Sequence, residues 1–91
     1  MHYSLQRERD GAGDSGHMSL AIYKDDKGTI QMEENARPRV GVAMRVGSHY
    51  ARSYSAQDWW QTTYIQEIIS ETPDQVVFKT GNSAYTWTQS E

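Results

Sequence analysis

The chain has no cysteine, two prolines, one phenylalanine and three histidines, and each scarcity removes a class of explanation. Without cysteine there is no disulfide to staple a small fold, no thiolate nucleophile and no thiolate zinc site. His2, His17 and His49 lie far apart in sequence, so no metal-ligand spacing is present and no metal is expected. No apolar run approaches the ~18 residues of a membrane-crossing helix. Residues 1–17 contain no apolar stretch of the signal-peptide kind. The expectation is a cytoplasmic protein without membrane contact. Catalytic signatures are missing too: no G-x-S-x-G elbow accompanies the Ser, His and Asp residues, and no Gly-rich phosphate loop follows a strand. The carboxylate pairs Asp25-Asp26 and Glu33-Glu34 fall in or beside turns, where solvation accounts for them. The reading is a non-enzyme with no cofactor.

What the chain does have is aromatic side chains, with three Trp and six Tyr among 91 residues of which 36% are hydrophobic. A single small domain with a largely aromatic core follows. Domains of this size bury only about 60% of the surface that the unfolded chain exposes. With disulfide and metal staples excluded, self-association is the remaining common one, so a homodimer is expected.

Along the chain, residues 1–17 mix charge with glycine, notably from Arg7 to His17, and are assigned to a disordered arm outside the fold. Residues 18–91 form the domain. Leu20 to Tyr23 and Thr29 to Met32 flank a charged loop ending at Gly28, the pattern of a β-hairpin. Val40, Val42, Met44 and Val46 alternate with Arg39, Gly41, Ala43 and Arg45, which gives a half-buried strand with a basic outer face. Val76 to Thr80 and Ser83 to Thr88 surround Gly81-Asn82, a turn pair suited to positive φ. That hairpin pairs Phe78 with Tyr85 and Val76 with Trp87, putting all four on one face. Residues 55–72 divide between helix and strand. A capping pattern, Ser55-x-x-Asp58, supports a short helix near 55–61. The β-branched run supports a strand from about Thr62 to Ser70, turning at Thr72-Pro73-Asp74. The fold expected is all-β: a meander of five or six strands curling into a small SH3- or OB-like barrel.

The long connection from Gly47 to Trp60 carries Tyr50, Arg52, Tyr54, Trp59 and Trp60, the mixture that protein interfaces favour. In a strand, one of the adjacent tryptophans turns into the core and the other outward. Arg37, Arg39, Arg45 and Arg52 occupy a stretch without acids and are candidate phosphate contacts, although the net charge of −3 opposes general polyanion binding. The leading expectation is a binding module whose partner is a protein or a second copy of itself. The alternative is nucleic-acid or nucleotide binding through the basic strand and aromatic loop.

Thr62, Thr63, Ile65, Glu67, Ile68, Phe78, Thr80, Asn82, Ser83 and Tyr85 together form a pattern that resembles short β-rich proteins of phages, prophages and other mobile elements. The resemblance covers the last third of the chain. It implies strands over that region and a small accessory protein that works by binding; it implies no activity.

Overall fold

The computed structural model describes residues 1–48 and 59–91. It contains nine strands: β1 (His2–Arg7), β2 (Gly13–Gly16), β3 (Met18–Lys24), β4 (Ile30–Glu34), β5 (Ala43–Gly47), β6 (Trp59–Gln61), β7 (Ile65–Glu71), β8 (Gln75–Thr80) and β9 (Ala84–Ser90). They form two antiparallel sheets, one ordered β2-β1-β9-β8-β7 and the other β4-β3-β5-β6. There is no helix among the described residues. The fold is all-β, as the sequence implied, but the sheets remain separate rather than closing into a barrel, and the strands outnumber the five or six expected.

The final hairpin has the expected register, Phe78 opposite Tyr85 and Val76 opposite Trp87. All four side chains are buried, and the rings of Phe78 and Tyr85 stack with centroids 5.5 Å apart. The turn itself differs from the expectation, because neither Gly81 nor Asn82 takes a positive φ. Thr80 holds it instead. Its amide donates to the Ser83 carbonyl at 2.8 Å, and its buried hydroxyl accepts from the amides of Asn82 and Ser83. The β3–β4 hairpin also forms, with Ile22 opposite Met32.

Two further expectations need correction. The strand read from Arg39 begins only at Ala43, and Val40 is 59% exposed while Val42, Met44 and Val46 are buried. Gly41 adopts φ +96°, a conformation open to glycine, and turns the chain so that its amide meets the Ile65 carbonyl. The strand read from Thr62 starts at Ile65 and carries two register irregularities. Thr62 is buried before it, its amide donating to the Met44 carbonyl and its hydroxyl accepting from the Met44 amide.

The largest correction concerns residues 1–17, which are no disordered arm. β1 lies inside the five-stranded sheet, bonded to β2 on one side and along its whole length to β9 on the other. Tyr3 and Leu5 are buried in the core shared by both sheets, with Ala21, Met44, Val46, Ile65, Val76, Phe78, Tyr85 and Trp87. The glycines of this segment allow close approach rather than disorder. A Cβ on Gly13 would collide with the Leu5 carbonyl, and one on Gly16 with the Gly47 carbonyl.

Candidate binding face of the four-stranded sheet

Because directly opposed residues in antiparallel strands share a face, the registers sort the four-stranded sheet into two surfaces. Ser19, Ala21, Met44, Val46 and Trp60 face the other sheet. Met18, Leu20, Ile22, Lys24, Ile30, Met32, Glu34, Ala43, Arg45, Trp59 and Gln61 share the outer face. That outer face is apolar at its centre and polar at Lys24, Glu34, Arg45 and Gln61. Met18, Leu20, Ile22 and Ala43 are buried there, apart from the main core, and Ile30 and Met32 are about half exposed on β4 at its border.

The adjacent tryptophans divide as a pleated strand requires. Trp60 opposes buried Val46, packs against the core, and its indole N–H points at the Tyr85 hydroxyl at 3.4 Å. The Arg7 guanidinium covers its ring, 4.9 Å from the centroid. Trp59 opposes Gly47 on the outer face, partly buried, with the Arg45 guanidinium 4.7 Å from its ring centroid. Arg45 also donates to the Gln61 side-chain oxygen at 2.9 Å, so a cation, an indole and an amide lie side by side across β5 and β6. A guanidinium stacked on an indole is a common arrangement in protein interfaces.

Arg37 and Arg39 do not join this group. Arg37 reaches to the β7–β8 turn, where it donates to Glu71 at 3.1 Å and to the carbonyls of Thr72 and Pro73 at 2.7 and 2.6 Å. Its guanidinium also sits 5.4 Å from the Trp87 ring centroid. Arg39 pairs with Glu33 at 3.0 Å and stands 5.4 Å from the Tyr23 ring centroid. Both border a shallow groove of about 450 Å³ beside Pro38, Val40 and Ile68, and each brings its own carboxylate there. The three arginines thus serve two separate regions rather than one basic face. Tyr50, Arg52 and Tyr54 lie outside the described residues.

Sequence reasoning missed Ile30 and Met32 as members of this face. The signal was present, since both are apolar at alternate positions of a strand whose other side carries Gln31 and Glu33. Among the described residues no three His, Asp or Glu side chains are grouped to hold a metal ion, and no helix is long and apolar enough to cross a membrane. No family model matches the chain, and no curated protein or solved structure matches it.

Proposed function

We propose that this protein is a non-enzymatic binding module, of the accessory kind found on mobile elements, that acts by protein–protein contact through the outer face of its four-stranded sheet. The observation that carries the reading is the division of the tryptophans. Trp60, partly buried, packs against the core, whereas Trp59 sits with Arg45 on the outer face of the four-stranded sheet, whose exposed apolar side chains are Ile30 and Met32. The engagement of Arg37 and Arg39 with Glu71 and Glu33 weighs against the alternative of nucleic-acid binding, because a phosphate would have to displace an intramolecular carboxylate from each.

The two tryptophans supply the test. Trp60→Ala should lower stability by about 3 kcal/mol, as truncation of a core aromatic does. Trp59→Ala should lose about 0.5–1 kcal/mol with its guanidinium contact and stay folded. Proteins captured by the wild-type chain should be released by Trp59→Ala and retained by Lys79→Ala, a change on the exposed side of the other sheet. Retention by Trp59→Ala would overturn the reading. So would nucleic acid that co-purifies with the chain and leaves at high salt.

A further inference from the structure

The outer strands of a sheet carry unpaired N–H and C=O groups, and folded proteins blunt them with short strands, bulges, prolines or charges. The described residues contain four such edges, β2 and β7 on one sheet and β4 and β6 on the other. Three are blunted. β6 has three residues, β2 has four and begins and ends on glycine, and β7 is broken by two register irregularities. β4 differs. It pairs with β3 without a break from Ile30 to Glu34, contains no proline, exposes every residue, and keeps its two charges, Glu33 and Glu34, together at one end. Its outer-face row runs from Ile30, 49% exposed and opposite Lys24, through Met32, 55% exposed and opposite buried Ile22, to Glu34.

We propose that β4 is a dimerisation edge, pairing antiparallel with β4 of a second copy about a two-fold axis through Gln31 and joining two four-stranded sheets into one. A two-fold contact must be self-complementary, and this register is. Ile30 faces the partner's Met32 and Met32 faces the partner's Ile30, so all four exposed apolar side chains are covered by one another. Glu33 faces the partner's Thr29, and Glu34 faces the partner's Gly28, next to the partner's Lys27; no like charges stand opposite. An axis through Met32 would instead set Ile30 against Glu34. The acidic end of β4 is already moderated within the chain, since Glu33 pairs with Arg39 at 3.0 Å. Dimerisation through this edge also supplies the staple that a small chain without cysteine lacks. The inference goes beyond the Trp59 face, because Trp59 lies on the opposite border of the same sheet, away from the β4 edge.

Size-exclusion chromatography with light scattering on the full chain tests it. The wild type should run at twice the 10.4 kDa of one chain, at low and high salt alike. The double variant Ile30→Lys with Met32→Lys sets lysine against lysine and should weaken the dimer about tenfold or more, with an unchanged circular dichroism spectrum because both side chains are exposed. Mixing it with Ile30→Glu with Met32→Glu should restore a heterodimer. Gln31→Cys puts two thiols on the axis, where opposed Cα atoms lie about 4.5–5.5 Å apart and within disulfide reach. It should cross-link on mild oxidation, and Glu33→Cys should not. A wild-type monomer at high micromolar concentration would overturn the proposal. A dimer that survives the lysine pair, or cross-links through Glu33→Cys in place of Gln31→Cys, would do the same. A dimer dissolved by Trp59→Ala and indifferent to the β4 changes would overturn it in favour of self-association through the Trp59 face.

Discussion

The β1–β2 and β8–β9 hairpins are neighbours in one sheet, since β1 is bonded to β9, yet they are held by different means. β8 and β9 meet through paired apolar side chains, Val76 with Trp87 and Phe78 with Tyr85, and a buried threonine closes their turn. β1 and β2 meet mostly backbone to backbone. Opposite Leu5 stands Asp14, opposite Tyr3 stands Gly16, and the connecting turn is closed by the Arg7–Asp10 ion pair at 2.7 Å. The β8–β9 hairpin brings its own core, while the β1–β2 hairpin inserts Tyr3 and Leu5 into a core built by others. Position in the sheet, rather than local composition, buries them. Tyr3 stacks at a tilt on Trp87, with centroids 5.9 Å apart, and Leu5 opposes Trp87 directly.

If that account is right, truncation of either hairpin's core residue should be equally damaging. Phe78→Ala should cost about 3–5 kcal/mol and Leu5→Ala about 2–5 kcal/mol, both read from urea denaturation. Leu5 is 1% exposed and Phe78 wholly buried, so neither site has solvent to fall back on. A Leu5→Ala protein as stable as wild type would return the N-terminal segment to the status of an arm.

The hairpins should part company when their glycines are changed. Gly13→Ala drives a methyl group into the Leu5 carbonyl, which is backbone and cannot turn aside. A loss of about 1–3 kcal/mol is expected, the usual range for overpacking. At Gly81 the nearest neighbour of a new Cβ is the Gln66 side-chain amide at 3.2 Å, which can rotate away, and φ there is not positive. Gly81→Ala should change stability by less than about 1 kcal/mol. Melting temperatures of the two variants decide the matter, and equal losses would contradict the distinction between approach and turn.

The same contrast explains what could be read from the sequence. Alternation of apolar residues exposed the β8–β9 register and the Val42, Met44, Val46 face, because in those segments burial and composition coincide. It failed for β1, where two apolar residues sit among Ser4, Gln6 and Arg7. There the signal was tertiary: a seat between β2 and β9. Charge and glycine from Arg7 to Gly16 looked like disorder, yet Gly13 and Gly16 are needed where backbones nearly touch. At the candidate site the opposite facing of Trp59 and Trp60 was legible, since strand pleat alone dictates it. The dispersal of Arg37, Arg39 and Arg45 was not, because Arg37 and Arg45 found their partners, Glu71 and Gln61, far along the chain, while Arg39 turned back to nearby Glu33.

The smallest expected effect separates the two turns by pH. The Arg7 guanidinium, helped by the Ala12 amide, holds the Asp10 carboxyl at about 2, below its ordinary 3.8. A carboxyl whose pKa is lower in the folded protein stabilises the fold above its unfolded value and loses that contribution as pH falls through the folded value. The stabilisation from Asp10 should therefore be complete above pH about 4 and disappear toward pH about 2. Asp10 is exposed, so screening keeps the effect small. Asp10→Asn should melt slightly below wild type at neutral pH, and the two should converge as pH drops through that window. Thr80→Val removes the hydroxyl that closes the other turn, and a hydroxyl does not titrate here. Its deficit relative to wild type should persist unchanged across the same range. If the Asp10→Asn deficit also persisted at pH 2, the β1–β2 turn would owe its closure to the backbone alone, and the two hairpins would be more alike than their side chains imply.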